Sequence, residues 1–399
     1  MKAGRHFQSG FLFGGTELRV LHILKTNFGA PWAYRQIRHL KLMGVDVCVM
    51  LPDGVSGFAL EYAKLGVQVV PFDAALPLRT PGRMIKMVAH FRQIIRELAP
   101  DLVHCHFVTN IMFARIAMRG MKIPRLFQVP GPLHLENWMY RRAEIILADT
   151  ADHWAGSCQK TCNIYRASGI PSEKIHFGWY AGDFGEYAKS YTRTGKLRRE
   201  LGIAEETILI GTVSYLYKPK YHMLQFKGIK GHEDFIDAFA MIIRRVSNVH
   251  AVIIGGPADN AMGYMNHIQR LANKRCGKSI TFTGFRQDIF EIYKDLDIAV
   301  HPSRSENFGG SGESLSLAIP TLTTDVGGFP DIIQDGKTGY MSKVARPDLL
   351  AEKLRYMIDN YEEAKAVAKC GQELIVKINS QLSAQQALDM YSKMLHAGR

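Results

Sequence analysis

Short apolar runs alternate with amphipathic stretches along most of this chain, the pattern of strands and helices in parallel α/β units. Runs at 18–24 (LRVLHIL), 45–51 (VDVCVML), 66–72 (GVQVVPF), 101–107 (DLVHCHF), 125–129 and 153–157 predict strands. Apolar spacings of three and four predict helices over 33–42 and 84–98. After Lys174 the alternation thins, and the polar stretch GDFGEYAKSYTRTG reads as a linker. Alternation then resumes, with strands at 206–213, 250–256, 279–285, 297–303 and 320–325. Helices are expected over 233–246, 288–296, and around 265–274 and 313–317. Residues 382–397 are helical by period and are expected to cross back to the first domain. Two such series predict two doubly wound, Rossmann-like α/β domains facing each other across a cleft. The expected limits are 1–190, joined by the helix 380–399, and 200–379. In such sheets ligands sit beyond the carboxyl ends of the strands.

The 399-residue length agrees with two domains. An apolar fraction of 47% and a charged fraction of 22% exclude a wholly disordered or collagen-like chain. No apolar run is long enough for a spanning helix, and the N-terminal residues lack the apolar core of a signal peptide. The 6 cysteines make no dense disulfide framework. A soluble, cytoplasmic protein is expected. Charge adds a second constraint: 50 Lys+Arg against 37 Asp+Glu gives +13. Residues 1–190 hold 23 basic and 14 acidic residues, so +9 of the excess falls in the first domain. Such a surface suits an anionic partner.

Several near-motifs fail on spacing. Gly336-Lys337-Thr338 lacks the glycine five residues earlier, where Asp331 stands, so it is no phosphate-binding P-loop. Gly309-Gly310-Ser311-Gly312-Glu313 is one glycine short of a nucleophile elbow. Asp295-Leu296-Asp297 resembles a metal clamp but precedes its strand, at the end opposite the ligand edge. Cys158 and Cys162, with His153 nearby, lack a fourth metal ligand and read as buried thiols. No metal site is expected.

The segment HPSRSENFGGSGESLSLAIPT (301–321) carries the chemistry. A strand ends at His301-Pro302, and Glu306 follows in a loop. Gly309, Gly310 and Gly312 are expected to let the backbone approach a ligand, and Glu313 to open a helix. Amides at a helix start suit a diphosphate. Carboxylates beside them suit a hydroxyl-rich ligand. From the residues alone, Glu313 could equally be a helix-dipole partner and Glu306 a solvated loop residue.

The segment resembles the retaining glycosyltransferase family 4, which has the GT-B fold. The resemblance rests on Pro302-Ser303, Glu306-Asn307-Phe308-Gly309, Glu313 and Ile319-Pro320, with matching stretches at 280–303, 323–340, 100–107 and 168–175. Six residues rather than the family's seven separate Glu306 from Glu313. The family's strand-end arginine is here Thr212, with Lys218 or Lys220 in its place, while Lys230-Gly231 is kept. The family's histidine after the 125–129 strand is out of place, His134 being nearest.

The resemblance implies a nucleotide-diphosphate sugar donor, uridine more readily than guanosine, held by the second domain. It implies a glycan or lipid-linked acceptor on the first domain, in cell-surface polysaccharide or lipopolysaccharide biosynthesis. Glu313 would hold the ribose and Glu306 a hydroxyl of the donor sugar. Lys230 and amides around Gly310, Ser311 and Gly312 would neutralise the departing diphosphate, without cofactor or metal. Phe285 and Arg286 would frame the base, Gly29 and Ala30 would pass near the diphosphate or sugar, and His106 and His134 would position donor or acceptor. The alternatives are another GT-B enzyme, such as a nucleotide-sugar epimerase or a phosphorylase, and a non-catalytic nucleotide-sugar-binding subunit. Scattered basic residues and no recognition motif argue against nucleic acid. Arg79, Arg83, Lys86, Arg92, Arg96, Arg115, Arg119 and Lys122 suggest an anionic surface at the inner face of a membrane.

Overall fold

The computed structural model describes residues 12–13, 16–76, 80–188, 192–221, 224–258 and 260–397; Arg79, named above, lies outside them. The chain divides into two compact units, Met1–Gly182 with Ser380–Arg399, and Asp183–Asn379. In the first, β1 (Arg19–Ile23), β2 (Asp46–Leu51), β3 (Gln68–Pro71), β4 (Leu102–His106), β5 (Arg125–Val129), β6 (Asp152–Gly156) and β7 (Ile175–Phe177) form one parallel sheet. Their order is β3-β2-β1-β4-β5-β6-β7. The longer helices of this unit are α1 (Pro31–Leu42), α2 (Phe58–Lys64), α3 (Pro81–Leu98), α4 (Val108–Ala117), α5 (Trp138–Ile146) and α6 (Gln159–Ala167).

The second unit opens with α7 (Phe184–Ala188) and α8 (Lys196–Leu201). Its parallel sheet comprises β8 (Ile208–Val213), β9 (Val249–Ile254), β10 (Ile280–Gly284), β11 (Ile298–His301), β12 (Thr321–Thr324) and β13 (Tyr340–Ser342), in the order β10-β9-β8-β11-β12-β13. The helices α9 (His232–Ile242), α10 (Met262–Cys276), α11 (Ile289–Asp295), α12 (Gly309–Ser316), α13 (Pro347–Asp359) and α14 (Tyr361–Lys377) complete it. Both units are doubly wound Rossmann-like folds whose strand order reverses once, at β1/β4 and at β8/β11.

Strands such as Asp46–Leu51 are buried on both faces, so they read as continuous apolar runs rather than as alternations. The last helix, α15 (Ser380–Ala397), belongs to the first unit. Ala384, Ala387, Leu388, Tyr391 and Met394 join Ala33, Ile37 and Leu40 of α1 in one core. Burying each large apolar side chain there contributes about 1.5–3 kcal/mol.

Of the expected linker, residues 189–191 lie outside the described ones, and the described part belongs to the second unit. Phe184 of α7 is buried, and its ring fills the space beside Gly312, where a Cβ would lie 2.6 Å from it. Asp295 accepts the backbone N–H groups of Gly195 and Leu197 at 2.7 and 2.6 Å, holding the start of α8. Asp297 pairs with Arg193 and Arg198 and accepts the Leu209 N–H at 2.7 Å. The Asp-x-Asp motif is therefore engaged by protein donors on both sides. Cys162 donates to the His176 carbonyl, and Cys158 lies 3.2 Å from Thr161 Oγ1, so these thiols are core groups.

Candidate active site

At the carboxyl end of β11 the chain leaves His301 through Pro302 and turns at Glu306 into α12. Two glycines from neighbouring segments fit this loop. At Gly231, φ is +69° and a Cβ would fall 1.9 Å from the Pro302 carbonyl oxygen. At Gly327, φ is +55° and a Cβ would fall 1.6 Å from the Glu306 carbonyl oxygen. Neither position tolerates a side chain. The Arg304 N–H donates to the Ile229 carbonyl at 2.7 Å, its guanidinium clamps Asp234 at 2.8 and 2.9 Å, and Thr324 Oγ1 donates to the Ser303 carbonyl at 2.5 Å.

So braced, Glu306 Oε2 accepts from Lys230 Nζ in a close ion pair, and Glu306 Oε1 accepts its neighbour Asn307 N–H at 3.1 Å. The two side chains, 76 residues apart in sequence, keep 21% and 15% of their exposure. Burial would lower the Lys230 ammonium, but the Glu306 charge and hydrogen bond outweigh it and hold the pKa above its usual value. A narrow crevice lined by Thr212, Ser214, Lys230, His301, Glu306 and Gly310 opens here. His301 is buried, its Nε2 lies 3.1 Å from Ser314 Oγ, and burial lowers its pKa to about 3, so a neutral imidazole lines the crevice.

The helix starts at Gly309 rather than at Glu313, which places Glu313 in its second turn. The Tyr293 hydroxyl lies 3.2 Å from the Gly310 carbonyl oxygen and also bonds the Glu313 carboxylate. The glycines here serve the protein first: Gly310 faces Tyr293 and His301, and Gly312 faces Phe184. Ser311 is buried, with its hydroxyl on the Phe308 carbonyl.

Phe285, 60% exposed after β10, stacks with Tyr215 at 6.3 Å. The Arg286 guanidinium is held by Asp288 at 2.8 and 2.9 Å and by Glu200. Lys218 is exposed and Lys220 half-buried, and neither lines the crevice. In the first unit, Gly29 and Ala30 end the loop after β1. Ala30 adopts φ 60°, ψ 50° at the start of α1, and Asn27 ties the loop to the Asp53 and Ser56 carbonyls at 2.9 and 3.0 Å.

The two histidines expected to position a substrate, His106 and His134, are both buried. His134 Nε2 donates to Glu144 at 2.8 Å within a buried network of Arg115, Asp152, Arg125 and Tyr165. Burial pushes the Glu144 carboxyl up, yet His134, Arg115 and Tyr165 together hold it below its ordinary value. His106 is wholly buried with His22 and His104, a triad in which one nitrogen of each ring lies within 4.8 Å of the other two.

Hydrogen bonds account for all six nitrogens of that triad. Gln128 Nε2 donates to the Gly178 carbonyl at 2.6 Å, so its Oε1 must accept from His104 Nε2 at 3.1 Å. Tyr391 then donates to His104 Nδ1 at 2.7 Å and accepts from His22 Nε2 at 3.2 Å. His106 Nε2 donates to His22 Nδ1 at 3.1 Å, which leaves His106 Nδ1 to accept from the Tyr180 hydroxyl at 2.5 Å, a hydroxyl that also lies 3.2 Å from the Gln128 carbonyl oxygen. One proton per step completes the chain with three neutral imidazoles. The triad is a strut between β1, β4, β5 and α15. His22 and His104 escaped the sequence reading, although a histidine inside a buried apolar strand was the visible signal.

Two Rossmann-like units, each reversing its strand order once, give the chain the GT-B architecture. The glycosyl transferases group 1 family matches residues 195–374, and a glycosyl transferase 4-like domain matches residues 29–177. The chain belongs to the group 1 glycosyl transferases. It is 21% identical over 391 residues to the capsular polysaccharide biosynthesis glycosyltransferase CapM of Staphylococcus aureus, covering 94% of this chain and 97% of that one. HepE of Anabaena, solved with UDP-glucose, has a TM-score of 0.76 at 20% identity, over 94% of this chain and 100% of HepE. The sucrose-phosphate synthase of Thermosynechococcus elongatus has a TM-score of 0.77 at 14% identity, over 96% and 100%.

Proposed function

We propose that this glycosyltransferase moves a hexosyl group from a uridine diphosphate sugar to a hydroxyl of a cell-surface glycan or lipid-linked acceptor, with retention of anomeric configuration. The observation that carries this reading is the Lys230–Glu306 pair beside the α12 start. The acceptor oxygen bonds to the anomeric carbon as the bond to the diphosphate oxygen breaks on the same face. The electron pair leaves with the diphosphate, which also takes the acceptor proton. Lys230 and the Gly309–Gly310 amides meet that developing charge, the kind of contact that strengthens in the transition state. Glu306, freed from Lys230, accepts a hydroxyl of the donor sugar, and Glu313 accepts those of the ribose. CapM's role in capsule synthesis and the UDP-glucose held by HepE support the donor and the polysaccharide context.

The reading includes activity without a divalent metal, since Asp295 and Asp297 already hold protein donors. It also includes a cytoplasmic enzyme; among the described residues no helix is long and apolar enough to cross a membrane. The test is a thermal-shift panel of nucleotides and nucleotide sugars, followed by transfer assays with and without chelator. UDP at about 100 times its Kd should stabilise the protein by roughly 2.7 kcal/mol. Glu313→Ala should abolish that shift, whereas Glu306→Ala should keep it and lose turnover. No shift with any nucleotide, or product of inverted configuration, would overturn the reading.

A further inference from the structure

Ser214 follows β8, where strand order in the second sheet reverses, and its side chain lines the crevice with Lys230 and Glu306. Its backbone is pinned in place. The Ser214 N–H donates to the Ile254 carbonyl at 3.0 Å, and a Cβ on Gly255 would fall 2.0 Å from the Ser214 carbonyl oxygen. Among the described residues its Oγ has one hydrogen-bond partner, His232 Nε2 at 3.2 Å. His232 opens α9 directly after Lys230-Gly231 and is wholly buried. Burial, with the Lys230 charge adding to it, lowers its pKa to about 3, so the ring is neutral and carries a single N–H.

The surroundings decide which nitrogen holds that hydrogen. His232 Nδ1 has no partner among the described residues. A buried N–H seldom lacks an acceptor, whereas an unpaired lone pair is tolerated more often, so the hydrogen stands on Nε2 and goes to Ser214 Oγ. The Ser214 hydroxyl thus accepts from His232 and has its own O–H left for the crevice. An anion there has few other donors. Lys230 is the one cation among the described residues that line the crevice, and Lys218 and Lys220 are not among them. We propose that Ser214 donates this hydrogen bond to the diphosphate of the nucleotide sugar, and that His232 is the positioning residue that keeps it available. The assignment rests on the nucleotide-sugar reading above and adds an uncharged donor to it. A hydroxyl turned the other way, donating to His232, would present only lone pairs to the diphosphate. The His232 tautomer therefore sets whether Ser214 attracts that group or repels it.

Calorimetry on the full chain with UDP, uridine and inorganic pyrophosphate tests the assignment, beside steady-state transfer from a UDP-sugar. Ser214→Ala should weaken UDP and pyrophosphate roughly 10–100-fold, the range for a hydrogen bond to a charged group. Uridine binding and the unliganded Tm should stay at wild-type values, which separates a lost phosphate contact from a disturbed fold. His232→Phe should lower kcat roughly two- to tenfold, and His232→Gln, whose amide can still donate to Ser214, should recover it. Nitrogen NMR of the wild-type His232 ring should show the proton on Nε2. The NMR and the His232 pair carry the test if Ser214→Ala fails to fold. UDP binding by Ser214→Ala as tight as wild type, uridine weakened as much as UDP, or a ring protonated on Nδ1 would overturn the proposal. A wild type that binds no nucleotide, yet loses pyrophosphate affinity on Ser214→Ala, would sink the nucleotide-sugar reading and keep Ser214 as an anion donor. Binding of neither would overturn both.

Discussion

Strand order reverses between β1 and β4 in the first sheet and between β8 and β11 in the second, and polar side chains gather at both places. At the first, His22, His104 and His106 meet Tyr180, Tyr391 and Gln128, and every ring nitrogen is spent on a protein partner. At the second, Lys230 and Glu306 meet across neighbouring strand exits, with part of each side chain reachable from outside. A neutral cluster with all its hydrogen bonds made has nothing to offer a ligand and serves to hold segments together. A charged pair at a rim can exchange its partner for a diphosphate or a sugar hydroxyl at modest cost. Position at a switch point marks where a site can form, and only the second carries a charged pair that stays partly exposed.

Replacing Lys230 by Ala should have the largest effect, cutting kcat by about 10²–10³-fold, the range for removing one donor to a developing oxyanion. Steady-state transfer assays check this, and near-normal turnover would erase the contrast between the clusters. Gly327→Ala should come next. A Cβ there must displace the Glu306 carbonyl, so turnover should fall with the Lys230–Glu306 geometry, and Tm should drop by the equivalent of at least about 1–3 kcal/mol.

Tyr391→Phe attacks the other cluster. It strips a hydrogen bond from His104 and from His22, and should cost about 1–3 kcal/mol of stability while leaving UDP affinity unchanged. The same cluster predicts acid sensitivity. Burial lowers His22 to about 3 and holds His104 and His106 well below their ordinary value. The unfolded chain takes up protons below about pH 6.5 while the native cluster does not. Its stability is therefore complete above that pH, and up to about 1.4 kcal/mol per histidine is lost for each unit below it. Thermal melts from pH 7.5 to 5 check the sign. Tyr293→Phe should be mildest, weakening UDP binding about two- to tenfold by loosening Glu313.

Much of this was readable beforehand, and the failures have physical causes. Apolar runs located both sheets because strands buried on two faces leave an unmistakable pattern. β7 has only three residues, and β13 sits among polar turns, so neither makes a run. The segment 182–195 looked like a linker because it has no apolar period, although the Phe184 ring docks on Gly312. Glu306 and Lys230 were named through a motif, but nothing local shows them touching. The histidine triad was missed because 82 residues separate His22 from His104, and only the pairing of β1 with β4 unites them. Arg115 seemed to belong to a solvated rim because a helix pattern does not reveal which arginine has buried acids waiting for it.

The return of α15 to the first unit bears on how the protein is made. A nascent chain can finish the second unit, residues 183–379, while the first still lacks the helix carrying Ala384, Leu388 and Tyr391. At about 5–20 residues per second, residue 397 follows residue 182 from the ribosome by roughly 10–40 seconds. During that interval the core face of α1 and the His22–His104 pair are uncovered. The half of the molecule translated first is therefore the half completed last, and a chain cut short before residue 380 would present that open core to the cell's quality-control machinery.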